Sequence, residues 1–82
     1  MMVEILKIKT RNLKSVVVYD SGSAFLDTDC YVIESTNNNG EKLVRFGNET
    51  QILSILNGYK WAVTPDTREA YEAFMKENYC KG

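Results

Sequence analysis

Polar and apolar positions alternate through residues 2–9, MVEILKIK, where Val3, Ile5 and Ile8 supply β-branched side chains. Residues 13–20, LKSVVVYD, set three consecutive valines beside a tyrosine. Both patterns predict strands, because branched and aromatic side chains suit a pleated, half-buried surface. The intervening Thr10-Arg11-Asn12 is short enough for a hairpin connection. Asp20-Ser21-Gly22-Ser23 supplies the next turn, since aspartate and serine bond nearby backbone and glycine accepts a positive φ. A third strand is predicted at about 29–35, with Cys30, Val32 and Glu34 on one side and Tyr31, Ile33 and Ser35 on the other. STNNNG at 35–40 ends in Asn39-Gly40, which suits a tight type I′ bend into a fourth strand, EKLVRF, at 41–46.

The period then changes. In GNETQILSILNG, Ile52, Leu53, Ile55 and Leu56 follow the i, i+1, i+3, i+4 spacing of one helical face, with Asn48 placed to cap the first turn. Asn57-Gly58 could turn a hairpin or end this helix in a left-handed residue; the periodicity favours the helix. YKWAV at 59–63 has the alternation of a final strand, with Tyr59 and Trp61 on one face. Thr64-Pro65-Asp66 opens a second helix running to about Asn78: threonine caps, proline fits the first position, and aspartate meets the positive first turn. Ala70, Tyr71, Phe74 and Met75 form its apolar stripe, with Arg68, Glu69, Glu72, Lys76 and Glu77 outside it. The predicted fold is α+β, a small mostly antiparallel sheet of four to five strands with two helices on one face, in the order β-β-β-β-α-β-α. Residues 1–78 form the single domain and 79–82 a C-terminal tail.

Composition keeps this picture within one core. The chain has 82 residues, 44% hydrophobic and 26% charged, a balance that folds rather than remaining disordered. At about 1.5 kcal/mol per ordered residue, a core this small offsets its entropy cost narrowly. Cys30 and Cys80 have neither the density of a disulfide framework nor the spacing of a zinc site and are read as reduced thiols. With no signal-peptide block and no run of membrane-spanning length, a cytoplasmic location away from membranes is expected.

The chemistry available is limited. There is no histidine, which removes serine–histidine and cysteine–histidine catalysis within one chain and histidine-containing zinc sites. Asp27 and Asp29 could share a hard cation, but the same pair suits a turn. Cys30 follows an aspartate that disfavours its thiolate, and a buried strand position would disfavour it further. Neither GxxxxGK[ST] nor GxGxxG is present, and Asn48-Glu49-Thr50 matches the glycosylation pattern without a secretory context. The expectation is a protein without enzymatic activity, cofactor or metal.

Two features point to partners. If the first strand continues through Arg11, then Lys7, Lys9 and Arg11 share a face; with Lys14 against Glu4, residues 1–19 carry +3 and residues 20–82 carry −4, in a chain of net charge −1. Such a row beside Tyr19 or Trp61 could hold RNA or single-stranded DNA, although three or four phosphate contacts give only a weak, easily screened affinity. The more ordinary use of such a row is to solvate one face of an exposed strand and blunt a sheet edge, which needs no ligand. Tyr59-Lys60-Trp61 would display two large rings together, the type of anchor that protein interfaces prefer. The leading expectation is a small protein-binding module using Tyr59, Lys60 and Trp61 as an inhibitor, adaptor or regulatory subunit, of a size that suits an accessory protein of a virus or mobile element. The alternative is a nucleic-acid binder using Lys7, Lys9, Arg11, Lys14 and Tyr19. Partner identity and oligomeric state, a homodimer included, are left open by the sequence.

Overall fold

The computed structural model describes residues 3–20 and 31–78. Four strands, β1 (Val3–Ile8), β2 (Leu13–Asp20), β3 (Tyr31–Asn37) and β4 (Lys42–Gly47), precede two helices, α1 (Glu49–Asn57) and α2 (Pro65–Asn78). The strands form one sheet in the order β1-β2-β3-β4, each antiparallel to its neighbour. The α+β architecture expected from the sequence is therefore present.

Register decides which side chains face the helices, because residues opposite one another in an antiparallel pair share a face. Leu6 lies opposite Val18, Ile8 opposite Val16, and Val18 opposite Ile33. These residues form a common core with Ile52, Leu53 and Leu56 of α1 and Tyr71 and Met75 of α2. Ile8, Val16, Val18 and Leu56 are fully enclosed. The Tyr71 hydroxyl donates to the Leu56 carbonyl at 2.8 Å, which ties the helices together where no water reaches. An irregularity between Glu4 and Leu6 lets Ile5 lean toward the same side, into a cleft with Val18, Leu53 and Phe74. On the opposite face, Lys7 lies across from Val17, Val32 lies between Tyr19 and Phe46, and Val44 lies across from Glu34.

The β3–β4 turn differs from the type I′ expectation. Asn37 N–H donates to Glu41 O at 2.9 Å and Gly40 N–H to Asn37 O at 3.0 Å. The loop therefore has three residues, and only its last, Gly40, is in the left-handed region, at φ +87°. The Asn37 side chain selects this form by accepting from the N–H groups of Asn39, at 2.9 Å, and Glu41, at 3.0 Å.

At the start of α1, the Asn48 side chain accepts from Gln51 N–H at 2.9 Å and the Gln51 side chain accepts from Asn48 N–H at 2.9 Å. This reciprocal box satisfies donors that a helix start leaves unpaired. Asn48→Ala is expected to cost about 1 kcal/mol, and roughly 4–8 °C in melting temperature, without altering the native fold. Thermal unfolding followed by circular dichroism checks it.

The segment after α1 corrects the predicted fifth strand and the left-handed helix terminus. Gly58 has φ −66° and ψ −19°, so it continues the right-handed coil. Tyr59 N–H then bonds to Leu56 O at 2.9 Å, Lys60 N–H to Asn57 O at 3.2 Å, Ala62 N–H to Tyr59 O at 2.8 Å and Val63 N–H to Tyr59 O at 3.1 Å. Donors used in these local turns cannot build a ladder. Among the described residues, sheet-like pairing survives as the Thr10–Val63 bridge, flanked by Arg11 N–H to Ala62 O and Thr64 N–H to Lys9 O, each 3.0 Å. The order is thus β-β-β-β-α-α.

On α2, Tyr71 and Met75 are buried and Phe74 is half-buried, whereas Ala70, assigned to the stripe from the sequence, is exposed. The buried line is centred on the Tyr71–Met75 i, i+4 pair, and Ala70 falls beyond its margin.

Candidate protein-binding site

The coil that replaces the fifth strand also separates its two large aromatics. Tyr59 is half-buried and packs against the core, and Val63, one helical turn later, is buried. Trp61, between them, points away and is 80% exposed. The expected display of Tyr59 and Trp61 on one face is therefore corrected: of Tyr59, Lys60 and Trp61, only Lys60 and Trp61 stand together at the surface. Lys60 Nζ sits 5.1 Å from the indole centroid, a cation–π arrangement. The Arg11 guanidinium donates to the Trp61 carbonyl at 3.4 Å, securing the turn against the end of β1.

Beside Trp61 lies an open groove of about 570 Å³, lined by Lys60, Trp61, Arg68, Tyr71, Met75 and Lys76 among others. Arg68 is fixed within it, donating to Val63 O at 2.9 Å and lying 4.0 Å from the Glu72 carboxylate. The indole is thus set beside the largely buried Tyr71 and Met75, with the cations Lys60 and Lys76 and the Arg68–Glu72 pair around them. The groove can receive an apolar side chain and, at its rim, a carboxylate.

The predicted basic row is not one surface. Lys7 is on the helix-free face opposite Val17. Lys9 lies beyond β1; its N–H donates to Thr67 Oγ1 at 3.1 Å and its ammonium is 3.9 Å from Asp66. Arg11 is held to the Trp61 carbonyl. Lys14 is exposed on β2, and Tyr19 is half-buried opposite Glu4. The chain leaves the strand because Thr10 turns inward and is buried, its hydroxyl accepting from Leu13 N–H at 3.0 Å. Asp27, Asp29, Cys30 and Cys80 lie outside the described residues. Among the described residues no helix is long and apolar enough to cross a membrane.

The Asp66 carboxyl is held below its ordinary range, first by its hydrogen bond with the Thr64 side chain, then by its own backbone N–H and the nearby Lys9, with desolvation opposing. A depressed native pKa favours the folded state above the unfolded pKa, and that contribution disappears as pH falls through the native value. Thr64→Val is expected to raise the Asp66 pKa and so to weaken the acid-side slope of stability below about pH 4. Carboxyl NMR titration of both proteins checks this.

The exposed apolar side chains of β4, Leu43, Val44 and Phe46, were missed from the sequence. Their alternation with Lys42 and Arg45 reads as an ordinary half-buried strand, and which strand ends a sheet depends on pairing order. No protein family model, no curated protein and no solved structure matches this chain, so its fold and the geometry of the Trp61 groove are what bear on its function.

Proposed function

We propose that this chain is a small non-enzymatic protein-binding module, acting in the cytoplasm as an inhibitor, adaptor or regulatory subunit, and that it docks through Trp61 and the groove beside it. The observation that carries the proposal is the 80% exposure of Trp61 in a turn braced by Arg11. An indole contributes nothing to the core from that position. Enclosing about 200 Å² of it against a partner gains about 5 kcal/mol before the costs of ordering. Lys60 and Lys76 at the groove, with Arg68 already paired to Glu72, suit a partner that brings an apolar anchor with an acidic side chain on the lysine side. The nucleic-acid alternative is less favoured, because Lys9 and Arg11 are engaged within the chain and Tyr19 stands opposite a glutamate.

The test is affinity capture from native lysate with wild type, Trp61→Ala and the Lys7→Glu/Lys14→Glu double variant, each with and without nuclease. The proposal expects a protein that survives nuclease, is retained by the double variant and is lost with Trp61→Ala. Recovery that needs nucleic acid, ignores Trp61→Ala and fails with the double variant would reverse the assignment.

A further inference from the structure

The two edges of the sheet are treated differently. At β1 the chain continues into Lys9 and Arg11, whose backbone groups bond to Thr67 Oγ1, Thr64 N–H and Ala62 O, and α2 packs alongside. Among the described residues nothing pairs with the outer side of β4. The groups on that side follow from the register. The Asn37–Glu41 bond makes that pair a hydrogen-bonded one, and bonded pairs alternate along an antiparallel ladder. Leu43 and Arg45 therefore turn their backbone groups to β3, while Lys42, Val44 and Phe46 turn theirs outward. Their neighbourhood is mixed: Leu43 is 54%, Val44 44% and Phe46 72% exposed, with the exposed cations Lys42 and Arg45 beside them. An edge of this kind recruits another strand unless charge or covering prevents it.

We propose that β4 pairs with β4 of a second copy about a two-fold axis at Val44, joining two sheets into one. Self-complementarity selects this occupant and this register. With Val44 opposite Val44, Lys42 meets Phe46 and Leu43 meets Arg45, so no cation faces a cation although β4 carries no acid of its own. Each Lys42 ammonium lies 3.7 Å from the Glu34 carboxylate of its own chain, which offsets its charge at the seam, and its stem can pack on the partner's Phe46 ring. A shift by two residues in one direction puts Arg45 against Arg45, a like-charge pair that costs stability. A shift the other way sets Glu41 against Arg45 and Leu43 against Leu43 but leaves Phe46, the most exposed of the three apolar side chains, against the turn at Gly40 beyond the strand. β4 carries two cations, Lys42 and Arg45, of which Lys42 is offset by Glu34, and screening over about 8 Å at physiological salt limits what repulsion remains. Two short edges bury less than the roughly 800 Å² per partner of a stable interface, so the dimer is reversible and concentration-dependent. It uses a different surface from the Trp61 groove and stands independently of that assignment.

Sedimentation velocity of the full chain from ~10 μM to ~1 mM, a range that spans weak association, tests the proposal. The expected result is a rising dimer fraction for wild type and a monomer throughout for Val44→Pro, which removes an outward N–H and leaves the β3 bonds in place. Val44→Lys, which keeps the strand intact, should behave the same way. The register is tested in a Cys30→Ser/Cys80→Ser background. Opposed Cα atoms about 5.5 Å apart lie within disulfide reach, so Val44→Cys should cross-link on mild oxidation and Leu43→Cys should not. A wild-type monomer up to ~1 mM would leave the edge to a strand of another protein or to solvent, and would overturn the proposal. So would a dimer that survives both Val44 variants, or cross-linking at 43 in preference to 44.

Discussion

Leu56→Ala is expected to lower the stability of this protein by about 3 kcal/mol and its melting temperature by roughly 15 °C. The side chain has no exposed surface, and it belongs to the cluster in which α1, α2 and the sheet meet. Truncation removes its transfer free energy and leaves a cavity whose walls cannot close freely. The main-chain carbonyl of residue 56 accepts both the Tyr71 hydroxyl, at 2.8 Å, and Tyr59 N–H, at 2.9 Å. The first bond fixes α2 to α1 at its native spacing and the second fixes the turn that follows α1, so neither lets the walls of the cavity move in. A domain of this length has about 4–12 kcal/mol in total, so the loss is a large share. Urea denaturation with a two-state fit measures it; a cost under about 1 kcal/mol would mean that the site collapses easily and that Leu56 is not the centre of the core.

Trp61→Ala is expected to do the reverse, leaving stability within about 0.5 kcal/mol of wild type while weakening partner binding by at least roughly 30-fold. The asymmetry follows from placement. The indole stands in water, and what braces the turn is its own carbonyl, accepting from Arg11 at 3.4 Å, which alanine retains. Lys60 loses its cation–π contact, a small effect at an exposed site. Isothermal titration against the captured partner, alongside thermal melts, separates the two quantities. A variant that binds normally would place the docking surface elsewhere on the molecule.

The strands were legible because branched side chains cluster where they form, as in Val16-Val17-Val18, and α1 was legible because Asn48 caps the run of Ile52, Leu53, Ile55 and Leu56. YKWAV misled for a definite reason. Positions four apart fall on the same side under both a period of two and a period near 3.6, so Tyr59 and Val63 fit a strand and a helical turn equally well. Only Trp61 distinguishes them, because a period of two keeps it on the side of Tyr59 and a helical turn puts it on the opposite side, and its own identity does not choose between the two. Lys7, Lys9 and Arg11 were placed in one row by extending β1 past Ile8. The chain instead turns at Thr10, through a side-chain bond to Leu13 that alternation of charge does not reveal. That β4 has no pairing on its outer side among the described residues was hidden for another reason: it follows from the meander order, which is a property of pairing and not of the local residues.

The fold presents its single tryptophan to solvent, and the docking assignment rests on that exposure. Trp61 fluorescence in the isolated chain, with acrylamide quenching, tests it most directly. The account predicts emission at the wavelength of indole in water and quenching close to that of the free amino acid, both lost on adding the partner. A blue-shifted, quencher-resistant emission from the chain alone would contradict it.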